Sequence, residues 1–374
     1  MLRANLSISA VAALLSACSA LTSVRGRAPG GAGHLPVAQA STGLLDLKGV
    51  IHCHSFLSHD SRGTVAQISA AATEVGAHFL VMTDHITPVS VPRGTRGFVG
   101  DTLWIVGAEL RCPDSQGSIV AFPLRHYVRP WPTLTEIVDD VAQQGGVCVC
   151  AHPDRWPTLD APGFIGMEVV NLHAAAIRAD KLGMLLTGLF LPVSHLLQFM
   201  SARPTENLQR YDTTVQRHPF ALIGGNDAHA NVRLFGPLGG TIGDYREVFR
   251  TLTTHVLATT FDEAGIVAAL RSGRSYVSFD LRRDATGFDF HIDGAAGVVP
   301  LGGTAKLTAT THLHVITPAR ARVVVVRDGI MVARQETTQL DLPVASPGRY
   351  RVEVEHLDGQ SWILSSAISV VADG

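Results

Sequence analysis

Lys48-Gly49-Val50-Ile51-His52-Cys53-His54 is a short apolar run that stops in two histidines separated by one residue. Alternate residues of a strand share a face, so in an extended run both imidazoles can reach one ion. The same kind of ending recurs. Phe79-Leu80-Val81-Met82 runs into Thr83-Asp84-His85, and Leu103-Trp104-Ile105-Val106 runs into Gly107-Ala108-Glu109. Gly146-Val147-Cys148-Val149-Cys150 runs into Ala151-His152-Pro153, and Ala221-Leu222-Ile223-Gly224 leads to Asn226-Asp227-Ala228-His229. One histidine at a strand end is an ordinary polar boundary residue. Five apolar runs that each stop in His, Asp or Glu predict a shared site, because the strands of a parallel barrel open their C-terminal ends on one face. Imidazole with carboxylate suits zinc, manganese or iron and suits calcium poorly. A carboxylate such as Glu109 can bridge two ions about 3.5–4 Å apart, which then share a hydroxide nucleophile and clamp the oxyanion it creates.

Outward from these endings, residues 45–280 alternate short apolar runs with helical patterns, the βαβα order of an α/β domain with a parallel sheet. The predicted strands are Gly49–His54, Phe79–Thr83, Leu103–Gly107, Gly146–Ala151, Met167–Asn171 and Ala221–Gly225. Thr64–Val75 has helical periodicity, Thr133 and Glu136 form a capping box, and Asp262 caps Glu263–Ser272 with Gly273 at C′. After Arg283 the texture changes. Phe288–Ile292, Thr304–Thr310, His312–Ile316, Ala321–Arg327, Ile330–Arg334, Arg349–Glu355 and Trp362–Val371 alternate apolar and polar residues between Gly, Pro and Asp, the pattern of a small antiparallel β-sandwich. The expected organisation is therefore a barrel over 45–283 and a sandwich over 284–374.

His52-Cys53-His54-Ser55, Ser58-His59-Asp60, Thr83-Asp84-His85, Gly107-Ala108-Glu109, Ala151-His152-Pro153 and Asn226-Asp227-Ala228-His229 resemble the ordered motifs of the PHP (polymerase and histidinol phosphatase) superfamily. Arg271-Ser272-Gly273-Arg274-Ser275-Tyr276-Val277-Ser278 is similar to the end of its CehA/McbA-like branch, some members of which cleave carbamates. The resemblance implies a distorted (β/α)7 barrel with two to three divalent ions, zinc, manganese or iron. It implies that His52, His54, Glu109 and Asp227 hold the first ion, that Glu109 bridges to a second held by His152, and that Asp60, His85 and His229 hold a third. His59 is the alternative to Asp60. There is one departure: where the family has a histidine after the bridging glutamate, this chain has Ser118 in Gly117-Ser118-Ile119-Val120. Serine is a poor ligand, so the second site is expected to be weak, water-completed, or rescued by His126 or His173.

The functional expectation is a hydrolase in which metal-bound hydroxide attacks a phosphorus or carbonyl centre. Phosphoester hydrolysis leads, carbamate, ester or amide hydrolysis follows, and a metal-containing binding protein without turnover is the reading from another class. His85 and His229 are the candidates for proton traffic. Asp84 either carries a proton or hydrogen-bonds a neighbour, and Arg155 either binds an anionic substrate group or is a loop residue in solvent. Glu168 and Asn171 either orient ligands or touch substrate.

Residues 1–18 read as an export signal: Arg3, an apolar Ile8–Leu15 stretch, then Leu15-Ser16-Ala17-Cys18, which resembles the lipobox of bacterial lipoproteins. This implies a lipid anchor at the periplasmic face of a bacterial membrane, or a soluble periplasmic protein, with 19–44 a flexible tether. The other cysteines, Cys53, Cys112, Cys148 and Cys150, form no CxxC pair and are expected to be buried free thiols. Leu182–Met200 is strongly apolar but carries Pro192, His195 and Gln198, and is expected to be a buried helix pair or a lid. The 374 residues carry a net charge of -2 and no polybasic run, so nothing favours nucleic acid as a partner. No Rossmann or P-loop fingerprint is present, so no nucleotide cofactor is expected.

Overall fold

The computed structural model describes residues 35–113, 117–159, 163–172, 174, 202–229, 232–233, 241–242, 244–295 and 297–373. The export signal, most of the tether, His173 and the Leu182–Met200 segment lie outside them. Among the described residues no helix is long and apolar enough to cross a membrane.

Leu45–Cys53 is the strand around which the chain is arranged. It pairs in parallel with Phe79–Met82, which pairs in parallel with Thr102–Val106. Gly107 then turns the chain into Ala108–Arg111. A Cβ at Gly107 would stand 2.5 Å from the carbonyl oxygen of Ala121, so only glycine allows the crossing. Ala108–Arg111 forms a hairpin with Ser118–Phe122, which pairs antiparallel with Val147–Ala151. Val147–Ala151, Phe164–Asn171 and Ala221–Ala228 follow in parallel, and the last returns in parallel to Leu45–Cys53. The pairings come back to the strand they began from.

Period-2 alternation divides these strands between two buried clusters. Ile51, Val81, Ile105, Val120, Val149 and Ile223 meet in one. Their neighbours Val50, Leu80, Trp104, Ala121, Cys148 and Leu222 face the other way, onto Ile68, Ile137 and Leu208 of the helices Val65–Glu74, Leu134–Gln143 and Thr205–Thr214. Thr64 closes a capping box with Gln67, and Thr133 accepts from the Glu136 backbone. Asp262 caps Glu263–Arg271, which ends at Ser272 with Gly273 at φ +71°.

The expected strands are present with shifted ends, but the strict β–α order is not. Ser118–Phe122 runs antiparallel to both neighbours. Thr253–Ala258 and Ser275–Ser278 were not anticipated. The first pairs antiparallel with Leu45–Gly49, and the second carries the sheet on to Ser361–Ser365.

Beyond Arg283 strands that pair antiparallel, except for Thr304–Lys306 in parallel with Ile368–Val371, surround a second core that includes Phe290, Ile292, Leu313, Val323, Val352 and Trp362. The segments expected at His312–Ile316 and Ala321–Arg327 are one strand, His312–Arg327. Pro318 does not end it, because the register slips between Ile316 and Ala321 and a bulge tolerates the missing N–H. Trp362–Val371 is instead two strands, Ser361–Ser365 and Ile368–Val371. The buried Arg351 joins this sheet to the helix Thr205–Thr214, with Nε and Nη2 on Asp212 at 2.6 and 2.8 Å and Nη1 on Glu353 at 2.6 Å. The whole is a mixed α/β fold dominated by its sheet.

Candidate metal centre

The strand endings meet. His52, His54, Asp60, His85, Glu109, His152, Asp227 and His229 fall into three overlapping groups, each with ligand atoms within 4.8 Å of one another: His52, His54 and Asp227; His52, Glu109 and His152; and His54, Asp60, His85 and His229. All lie within or just after the C-terminal ends of their strands, except Asp60, which the loop after His54 brings in.

A regular pleat does not explain how they meet. His52, His152 and Asp227 adopt left-handed backbone conformations, with φ of 71°, 47° and 50°. The ladder skips a residue at His52, between Ile51 and Cys53, and again between Gly225 and Ala228. Such conformations cost a non-glycine residue of order 1–3 kcal/mol and persist where the surroundings over-determine them. Here bulges re-aim the side chains inward, so the period-2 expectation for His52 and His54 holds in outcome but not in cause.

The spacing suits ions. The Nε2 atoms of His52 and His54 stand 3.6 and 3.5 Å from Glu109 Oε2, and both stand 3.4 Å from Asp227 Oδ1. The other oxygens of the same carboxylates face His152 Nε2, at 3.6 Å for Glu109 Oε1 and 3.5 Å for Asp227 Oδ2. His85 Nδ1 is 3.3 Å from Glu109 Oε2, and His229 Nε2 is 3.3 Å from Asp60 Oδ2. Tetrahedral ligands about 2.0–2.1 Å from an ion stand about 3.3–3.4 Å apart, so these atoms are spaced to share cations rather than to bond one another. His52 Nε2 and His54 Nε2 are buried without a hydrogen-bond partner, as nitrogens aimed at an ion would be.

The opposite ring nitrogens show what holds the imidazoles. Glu168, fully buried, faces His52 Nδ1 at 2.5 Å, and its other oxygen accepts from the His152 backbone at 3.3 Å and from Asn171 at 2.9 Å. Ser58 Oγ donates to Asp84 at 2.9 Å, which leaves it to accept from His54 Nδ1 at 3.0 Å. The carbonyl of Asp227 lies 2.8 Å from His229 Nδ1. In each ring an Nδ1–H bound in this way leaves the Nε2 lone pair for a ligand. His152 differs: its Nδ1 is buried without such a partner.

Charge follows the same plan. Burial opposes ionisation of Glu109, but the imidazoles of His152 and His52 outweigh it and hold its carboxyl well below the usual range. Burial likewise opposes charge on His52, yet Glu168 and Asp227 hold its imidazole well above the ordinary histidine value. Burial, with the neighbouring His229 and His52, keeps His54 low, in the neutral form a ligand needs. The pocket therefore keeps carboxylates ionised and favours positive charge among them.

The remaining candidates are placed differently. Asp84 accepts from the Ser55 N–H and hydroxyl at 2.6 and 2.8 Å and from Ser58, which is the hydrogen-bonding alternative of the two readings it carried. Glu168 and Asn171 fit the orienting alternative. Arg155 is exposed, and its backbone closes the turn after His152. His59 is 76% exposed, 4.0 Å from Asp60 and stacked on His85 at the rim. His126 is 66% exposed and turned toward Asp140, so it does not replace the histidine that Ser118 lacks. Ser118 itself lies in the hairpin on the face of Glu109, paired with Arg111 and Ala151. Cys53, Cys112, Cys148 and Cys150 are buried and free, outside all three groups, and burial pushes the Cys148 thiol up to about 12. Sequence reasoning missed Tyr245, whose hydroxyl donates to the His54 carbonyl at 2.7 Å and so clamps the loop that brings Asp60 in. Nothing in its local pattern points there.

No family model matches the sequence, and no curated protein matches it. Among solved structures the chain is similar to a two-domain protein of Bacteroides vulgatus containing a predicted PHP-like metal-dependent phosphoesterase, at 13% identity and a TM-score of 0.46, over 91% of this chain and 100% of that one. It is also similar to a candidate metal-dependent phosphoesterase of Bifidobacterium adolescentis, at 17% identity and a TM-score of 0.30, over 54% of this chain and 93% of that one. A third is an amidohydrolase of Chromobacterium violaceum with bound sulfate and no metal, at 16% identity and a TM-score of 0.30, over 54% of this chain and 95% of that one.

Proposed function

We propose that the chain is a PHP-type metal-dependent hydrolase, a phosphoesterase first, built as a (β/α)7-like barrel with a C-terminal β-sandwich. One observation carries the reading: eight side chains, seven from five strand endings and Asp60 from a loop, place ligand atoms in three overlapping groups at one end of the ring of strands. Divalent ions bound there supply a nucleophilic water and a positive charge against the developing oxyanion. The chain's own contribution is to hold Glu109 and Asp227 ionised, to fix the imidazole tautomers through Glu168, Ser58 and Asp227, and to hold His85 Nε2 and Asp60 together, 3.0 Å apart.

Elemental analysis tests this reading. The strand-end cluster is expected to hold about two ions per wild-type chain, with fewer in His52→Ala and Asp227→Ala. Chelation should abolish turnover of chromogenic phosphate esters, and added zinc or manganese should restore it. Turnover of carboxylic esters or carbamates alone would move the assignment to carbonyl substrates, and a metal-replete chain that turns over neither would make it a binding protein. The Arg271–Ser278 motif does not discriminate between these substrates. Arg271 donates to the Gly146 carbonyl at 2.8 Å, at the end of the Val147–Ala151 strand away from His152, and Ser275 donates to the Leu222 carbonyl at 2.8 Å. Both are packing contacts.

We also propose export and lipid anchoring through Cys18, on the strength of the Leu15–Cys18 motif. Release of the protein from the membrane fraction by Cys18→Ser tests it.

A further inference from the structure

A second group of histidines lies away from the barrel. The segments Asp289-Phe290-His291-Ile292-Asp293 and His312-Leu313-His314-Val315 alternate apolar residues with His and Asp. Their strands, Asp289–Gly294 and His312–Arg327, pair antiparallel with His291 opposite His314 and Asp293 opposite His312. Side chains of directly opposed residues share a face, and those one residue along take the other. Phe290, Ile292, Leu313 and Val315 accordingly enter the second core, while His291, Asp293 and His314 stand together on the reverse of the sheet.

We propose that His291, Asp293 and His314 form a divalent transition-metal site separate from the barrel, with water completing the coordination. Each residue offers a ligand atom within 4.8 Å of the other two. The imidazole rings are stacked at 22° with centroids 5.1 Å apart. His314 Nε2 stands 3.2 Å from Asp293 Oδ2 yet is buried and makes no hydrogen bond, so the two groups sit side by side rather than pointing at each other. His291 is 8% exposed; its Nδ1 faces Asp289 Oδ2 at 3.4 Å, and its Nε2 faces Asp293 Oδ1 at 4.0 Å. The buried, unpartnered Nε2 of His314 is costly, and a cation shared by the three side chains removes that cost. Two imidazoles and one carboxylate select zinc, copper or nickel over calcium or magnesium. Asp341, opposite His314 on the next strand, places Oδ1 2.6 Å from His312 Nδ1 and Oδ2 3.9 Å from His314 Nδ1, which adds negative charge beside the site. The bound ion would clip Asp289–Gly294 to His312–Arg327 on the face opposite the core.

The test counts ions in the full chain equilibrated with zinc and freed of excess. His314→Ala and, as the near-isosteric variant, Asp293→Asn should each hold about one ion fewer than wild type. The same difference should appear in a His52→Ala background, where the barrel has already lost metal. Cobalt substitution gives a second reading: His314→Ala should remove one set of visible d–d bands and leave the rest. Wild type, His314→Ala and Asp293→Asn with equal zinc content and the same cobalt spectrum would overturn the proposal. Should His314→Ala fail to fold, the count for Asp293→Asn decides. Because the difference is read in both backgrounds, failure here leaves the barrel assignment standing, and failure of the barrel assignment leaves this one standing.

Discussion

Glu168 sets one carboxylate oxygen 2.5 Å from His52 Nδ1 and the other 3.3 Å from the His152 backbone N–H, so a single buried side chain touches two candidate ligands. It lies behind the cluster rather than in it. An outer carboxylate of this kind typically contributes 10–100-fold to metal affinity. Glu168→Gln keeps the shape and removes the charge. It should lower zinc affinity by about that factor in competition with a chelator, with an unchanged far-ultraviolet dichroism spectrum. Unchanged affinity would mean that His52 needs no such orientation.

Gly225 is the other half of that arrangement. A Cβ on this residue would stand 2.3 Å from the Glu168 carboxyl carbon, so the strand must present glycine for the carboxylate to reach His52. Gly225→Ala should therefore copy the metal loss of Glu168→Gln and add a lowered melting temperature, since either the carboxylate or the strand must move. A variant with wild-type affinity and melting temperature would show that the contact relaxes without consequence.

Away from the site, pH reports on the join between helix Thr205–Thr214 and the C-terminal strands. Burial opposes the charge on Glu353, but the guanidiniums of Arg203 and Arg351 outweigh it and hold its carboxyl below the usual range. A carboxyl lowered on folding stabilises above its unfolded value, about 4.3. That stability is lost as pH falls from there through the folded value. Melting temperature should fall with acid over that interval, and less steeply for Glu353→Gln than for wild type under the same metal-free conditions. Parallel slopes would remove Glu353 from the acid transition.

The five strand endings were legible because each packs chemistry into three or four consecutive residues after an apolar run. The parallel pairings around Leu45–Cys53 were legible for the same reason. Three features were not. Ser118–Phe122 reverses the strand direction, and its antiparallel pairing depends on Gly107 allowing a close crossing that no local pattern announces. Thr253–Ala258 is wholly buried, so it lacks the polar alternation that marks a half-exposed strand. The left-handed conformations of His52, His152 and Asp227 are imposed by their surroundings, and nothing about histidine or aspartate in sequence foretells them. Pro318 misleads in the opposite direction: it reads as a break, yet it sits in a bulge within one strand.

The weakest part of the centre is the His152 side, and two observations agree on why. Ser118 occupies the hairpin position on the face of Glu109, where it offers a hydroxyl in place of an imidazole, and His152 has no partner for its Nδ1. All three imidazoles have Glu109 and Asp227 in reach of Nε2, but only His52 and His54 also have a partner behind Nδ1. Under dilution or mild chelation the ion beside His152 should leave first, giving a two-step loss of metal. Ser118→His places a nitrogen ligand on that face and should merge the two steps by slowing the first. His152→Ala should abolish the first step while sparing the ion between His52 and His54. The decisive measurement is the time course of ion release to a chromogenic chelator for the three proteins. A first step unaffected by either substitution would place the labile ion elsewhere, and the asymmetry between the two carboxylate-bridged halves would then need another cause.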